Sequence, residues 1–135
     1  MALILWSDKL SVGVKTIDEQ HIVLIDAVNE LHAAMMKGQG RAILGNLLGT
    51  LIVYTRSHFS TEETMLEAAD YPGLAPHRVQ HNELTKQVEE YAKRFKQGDL
   101  TLSNHLSNFL SDWLTNHILN TDKEYGPWMN EHGVS

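Results

Sequence analysis

Apolar residues recur along this chain in steps of three and four, the spacing that lays a single stripe down a helix. The first stripe is Ile17, His21, Leu24, Ile25, Val28, Leu31 and Met35. The second carries Leu44, Leu47, Leu48, Leu51, His58, Glu62, Met65 and Leu66. The third presents His77, His81, Leu84, Val88, Tyr91 and Phe95, and the fourth Leu106, Phe109, Leu110, Trp113, Leu114, His117 and Ile118. Stop and start signals fall between them. Thr16-Ile17-Asp18-Glu19 has the form of a capping box, and Gly38 and Gly40 close the first helix. Asp70-Tyr71-Pro72-Gly73 signals a turn. Pro76 suits the first turn of the third helix, which stops at Gly98. The fourth fades near Asp122 and is finished by Gly126-Pro127.

The pattern predicts helices over about 17–37, 41–69, 76–97 and 103–122. An extended leader, 1–16, precedes them, with Trp6 and Val12 packed on the helices, and a tail, 123–135, follows. Short links between long helices imply an all-α, antiparallel up-down-up-down four-helix bundle, one domain over 1–135.

Composition narrows the chemistry. At 135 residues and 42% hydrophobic the chain fills one core. A net charge of −6 argues against nucleic acid as a partner, because phosphate binding needs a basic face. There is no cysteine, which excludes disulfides, thiolate zinc sites and iron–sulfur clusters. Any metal is therefore held by nitrogen and oxygen. Met1 to Val14 lacks the charged start and long apolar run of a signal peptide. The longest apolar stretch, Ala42 to Tyr54, is broken by Gly45, Asn46, Gly49 and Thr50 and is too short to span a bilayer. A soluble, cytoplasmic chain acting as a monomer is expected, without membrane insertion.

Five of the eight histidines carry the chemistry: His21, His58-x-x-x-Glu62, His77-x-x-x-His81 and His117-x-x-x-x-Asp122. Residues four apart on a helix lie about 40° apart and roughly 6 Å along it, so each i,i+4 pair points the same way. A lone histidine on an apolar face is most often a satisfied core residue. Two donor pairs and two further donor elements, on four helices, are hard to obtain by chance. His21 and His77 sit near the starts of their helices, and His58, Glu62, His117 and Asp122 near the ends of theirs. An antiparallel bundle brings them to one end. The i,i+5 spacing of Asp122 puts it about 140° from His117 on an ideal helix, which is tolerable if the helix ends there. Seven donors are too many for one ordinary ion; two ions bridged by the carboxylates use them all. The set suits iron, and imidazole equally suits zinc, copper and nickel. No His-Glu-x-x-His and no Glu-x-x-His occurs, which sets aside the zincins and the carboxylate-rich di-iron bundles.

This arrangement, with the Asp-Lys-x-Tyr-Gly-Pro run at 122–127, resembles the hemerythrin family, in particular its single-domain bacterial members. The resemblance implies two irons (Fe2+/Fe3+). His77, His81 and His117 hold one, His21 and His58 the other, and Glu62, Asp122 and an oxo or hydroxo group bridge them. The first iron is then six-coordinate, while the second keeps a position open for O2. Leu24, Phe59, Trp113, Leu114 and Ile118 match the family's O2 pocket, whose apolar lining excludes water and favours binding over chemistry. The implied function is reversible O2 binding, for storage or delivery to an oxygen-consuming enzyme, without enzymatic turnover. The alternatives on the same site are a redox enzyme acting on peroxide or nitric oxide, and a sensor of O2 or iron.

The remaining candidates read as ordinary. His32 lies three turns from His21 and belongs to the surface or the core edge. His105 is about 120° off the His117 face, and His132 falls in the tail. Glu63 reads as a solvated charge, Met35, Met36 and Met65 as core fillers, and Lys86 to Lys96 as an exposed mixed-charge face.

Overall fold

The computed structural model describes residues 4–38, 41–98 and 102–135, with side chains except at 41–42 and 102–107. Gly40 and the side chains of His105 and Leu106 lie outside the described residues. Four long helices, α1 (Lys15–Met36), α2 (Arg41–Ala68), α3 (Leu74–Lys96) and α4 (Leu102–Asn116), form a four-helix bundle. Each packs on its neighbours in a closed ring, with α4 returning to α1. There is no strand among the described residues. The buried stripe of α1 is Ile17, His21, Leu24, Ile25, Val28, Leu31 and Ala34. Met36 corrects one expectation. It is 72% exposed, because it stands about 100° round the helix from Met35, on the solvent side.

The start of α1 is not a capping box. Thr16 already lies inside the helix, and its N-cap, Val14, makes no side-chain cap. Asp18 instead reaches back to the leader. Its Oδ1 accepts from the Val12 amide at 2.8 Å, and its Oδ2 from the Ser11 hydroxyl at 2.5 Å. Asn29 holds Ile4 by two reciprocal backbone bonds of 2.8 Å. Val12 is buried, and Trp6 packs partly buried against the core.

α2 ends in a Schellman turn. The Tyr71 amide donates to Leu66 O and the Asp70 amide to Glu67 O, while Asp70 takes the left-handed conformation, φ 54°. The largest departure from the sequence pattern follows α4. The helix does not fade at Asp122. It widens into a π-helical turn, His117–Asp122, and continues as α5, Lys123–Glu131, with Pro127 inside it. The stretch expected as a tail is therefore helical. Proline within a helix costs about 3 kcal/mol. Tyr125 and Met129, four residues apart and fully buried, offset that by about 1.5–3 kcal/mol each.

α5 and the leader together cover one end of the bundle. Gly126 is buried against the leader, and a Cβ there would stand 2.2 Å from Val12 O. Asn130 Nδ2 donates to Gly13 O, and Lys123 Nζ to Lys9 O. Trp128 Nε1 donates to Ala69 O at 2.7 Å, satisfying a carbonyl at the end of α2.

Candidate metal centre

All seven expected donors meet beneath that cover, and all are buried, at 5% exposure or less. They converge because α1 and α3 begin where α2 and α4 end. Within the cluster the carboxylate oxygens are shared out one by one. Glu62 Oε1 faces His77 Nε2 and His81 Nε2, the latter at 3.1 Å. Glu62 Oε2 faces His58 Nε2 at 3.2 Å and His21 Nε2 at 3.7 Å. Asp122 divides likewise. Oδ1 lies 2.9 Å from His117 Nε2 and 3.1 Å from His77 Nε2, and Oδ2 lies 3.1 Å from His21 Nε2.

Two donor groups result. His77, His81 and His117 share Glu62 and Asp122 on one side; His21 and His58 share the same carboxylates on the other. In each group the donor atoms lie within 4.8 Å of one another.

The π turn explains how Asp122 arrives. Hydrogen bonds from i to i+5 widen the turn, so residues five apart come to the same face. The i,i+5 misfit is resolved by a wider helix, not by a helix end.

Several atoms here have no partner within the protein. Both nitrogens of His21 and both carboxylate oxygens of Asp122 are buried without a hydrogen bond, although His21 Nε2 and Asp122 Oδ2 are close. Buried polar atoms are seldom left so, because each costs about 1–3 kcal/mol. For His21 Nε2 and the two Asp122 oxygens, donor atoms turned toward a common third atom give this arrangement, and a cation between them would satisfy it. Without a cation the charges fall on protons. Burial alone would lower His21 and His77, but the carboxylates of Asp122 and Glu62 close beside them outweigh it and raise both to about 9. His58 is lowered by its burial. Burial would raise Glu62, yet the surrounding histidines hold it well below the usual carboxylate range. Asp122 is depressed too, with His117 and His21 outweighing its burial and the charge of Glu62.

Among the described residues, three beyond the seven hydrogen-bond to their side chains. His58 Nδ1–H donates to Gln20 Oε1 at 2.7 Å, and His81 Nδ1–H to Glu63 Oε2 at 3.0 Å. Both contacts leave Nε2 free to face the centre, the usual outer-shell arrangement around a metal-bound imidazole. Glu63 is thus not a solvated charge. Arg78 Nε donates to its other oxygen at 3.1 Å. Tyr125 O–H donates to Glu62 Oε2 at 3.1 Å. Burial and the charges of Asp122 and Glu62 push that phenol well above its usual value, so it stays a donor. Tyr125 stood within the quoted run at 122–127; the contacts of Gln20 and Glu63 depend on which neighbouring helix they meet, which spacing does not disclose.

Each of the five expected pocket residues lies about one helical turn or less from a donor along its own helix. Leu24, Phe59, Leu114 and Ile118 are buried and Trp113 half-buried. Leu24, Trp113 and Leu114 help line a cavity of about 20 Å³, with Val28, Leu51, Thr55, Leu84, Val88 and Leu110. Phe59 and Ile118 are not among its lining residues. Phe59 stacks on His81, with ring centroids 3.7 Å apart, and Trp113 on His117 at 4.7 Å. Thr55 supplies the one hydroxyl in the lining, and it already donates to Leu51 O at 2.7 Å. His32 is half-buried away from the centre, and His132 is exposed, stacked on Trp128.

Residues 12–129 match the family model described as the hemerythrin HHE cation binding domain. The chain is 40% identical over 132 residues to a bacteriohemerythrin of Stenotrophomonas maltophilia, covering 98% of this chain and 85% of that protein. It is 34% identical over 131 residues to the bacteriohemerythrin of Methylococcus capsulatus, covering 96% and 99%. A crystal structure of a wild-type hemerythrin superposes with a TM-score of 0.89 at 34% identity, covering 95% of this chain and 98% of that one.

Proposed function

The chain belongs to the hemerythrin family, and from that premise we infer that it binds O2 reversibly at a non-haem di-iron centre and is not an enzyme. We propose that His77, His81 and His117 hold one iron and His21 and His58 the other, with Glu62 and Asp122 bridging them. The observation that carries this reading is the oxygen-by-oxygen sharing of both carboxylates between three histidines and two. The smaller group has one nitrogen fewer, which leaves a position for a small ligand. When bound, the iron pair supplies that position and the electrons that hold O2.

The chain's own residues do the rest. Tyr125 fixes Glu62 by a donor that keeps its proton. Gln20 and Glu63 hold His58 and His81 with Nε2 inward. The apolar cavity one turn deeper has room for about one small molecule. Its hydroxyl is already engaged, so the remaining side-chain donor on the residues that line it is the weakly acidic indole N–H of Trp113. Leu24, Phe59, Trp113, Leu114 and Ile118 are proposed as the O2 pocket, which favours a binder over a peroxide- or nitric oxide-consuming enzyme or a sensor.

No helix among the described residues is long and apolar enough to cross a membrane. The net charge of −6 favours solubility. The setting we propose is a monomer in the cytoplasm that stores O2 or delivers it to oxygen-requiring enzymes. The test is anaerobic loading with Fe2+, then cycles of O2 and inert gas followed by optical spectroscopy. Repeated appearance and loss of one absorption band supports the reading; a single irreversible oxidation overturns it.

A further inference from the structure

The two halves of the centre are not equally prepared. In the larger group, His81 is fixed on two sides. Its Nδ1–H donates to the Glu63 carboxylate, and Phe59 lies flat on its ring, 3° from parallel. Glu63 is itself held by Arg78, which also bonds Glu67. His117 carries the parallel face of Trp113. In the smaller group, His58 donates to a neutral carboxamide, that of Gln20, and His21 Nδ1 has no partner. An anionic acceptor on Nδ1 makes the opposite nitrogen a stronger donor, and a ring held in place loses less entropy on binding.

We infer that metal enters this centre in a fixed order, the three-histidine pocket first, and that Glu63 is the positioning residue that widens the difference in affinity beyond what one extra imidazole gives. The inference rests on the two-metal reading above. Glu63 lies one residue after Glu62 and Arg78 one after His77, so each sits about 100° round its helix from a donor. Both therefore leave the centre and meet across the α2–α3 boundary, where His81 Nδ1 emerges. Glu63 is 22% exposed. It anchors His81 without being part of the core, so it can be changed without opening a cavity.

The experiment adds Co2+ to metal-free protein, followed by calorimetry and by the visible bands of the bound ion. The parent should bind in two resolved steps. Glu63→Ala should weaken the first by about 10- to 100-fold, the usual cost of an outer-shell partner, and leave the second unchanged. Glu63→Gln, which keeps an acceptor oxygen without its charge, should fall between parent and Ala. Gln20→Ala should weaken only the second step. Metal-free melting of Glu63→Gln, which keeps an acceptor for the His81 Nδ1–H, should match the parent, which a merely structural role for the charge would not allow, while Glu63→Ala leaves that buried donor unpaired and should melt lower. Should Glu63→Gln melt early too, Arg78→Gln, which leaves Glu63 in place but unclamped, should give a smaller weakening of the first step alone. An unchanged first step, equal weakening of both steps, or a single unresolved step in the parent overturns the inference. A parent that binds no Co2+ overturns the two-metal reading itself.

Discussion

His21 and His77 are set apart from the other donors by where their Nε2 atoms point, each toward both carboxylates. Raised to about 9 in the metal-free protein, they are protonated at pH 7, and metal must displace those protons. Loading at pH 7 should release about one proton from each, and the release should diminish as pH rises through 9. Calorimetry in buffers of different ionisation enthalpy measures it; release that does not change with pH contradicts the assignment. Leu114 tests the pocket. It is buried in the lining of the cavity, and Leu114→Glu would place an ionisable group there and invite water. The expected outcome is a shorter-lived O2 complex and faster oxidation, read by stopped-flow absorbance with a melt to show the variant folded. An equal lifetime would mean that the apolar lining is not what protects bound O2.

The elements explain what the sequence disclosed and what it did not. His58 with Glu62, and His77 with His81, were legible because i,i+4 positions share a face of an ordinary α-helix. His117 with Asp122 looked strained on that same rule, because spacing does not report that a turn has widened. Gly126-Pro127 reads locally as a stop, and contacts distant in sequence, the burial of Tyr125 and Met129 among them, carry the helix through it. Glu63 read as solvent-facing because a single stripe says nothing of what the flank of a helix meets on its neighbour. Gly126 then has a packing role, as the point where α5 touches the leader. Gly126→Ala should destabilise the protein by about 1–3 kcal/mol through overpacking against Val12 O. Gly49→Ala, where an added Cβ meets nothing within 4 Å, should stabilise α2 by about 0.5–1 kcal/mol. Chemical denaturation of the two variants measures both; equal effects would mean the leader does not pack closely on α5.

For the whole molecule, the centre lies where four helix ends, the leader and α5 converge, so metal and fold are coupled. Removing metal leaves five imidazoles and two carboxylates facing one another in the core, and the loaded form should melt well above the metal-free one. The metal-free form should also follow its titrations. His21 and His77, raised in the fold, stabilise it fully below about pH 6.5, and that contribution is lost as pH rises through 9. Glu62 and Asp122, depressed in the fold, contribute above their ordinary range and lose it as pH falls. Melts across pH, with and without an iron chelator, check both; coincident curves would mean that the metal is incidental to the fold.

The central claim is that this centre would hold two ions, with Glu62 and Asp122 serving both. Its most direct test is the iron content of the anaerobically reconstituted chain beside that of Glu62→Ala, which removes a ligand from both pockets at once. The account predicts two irons per chain in the parent and loss of the paired site in the variant. One iron per parent chain, or the same content in both proteins, would contradict it.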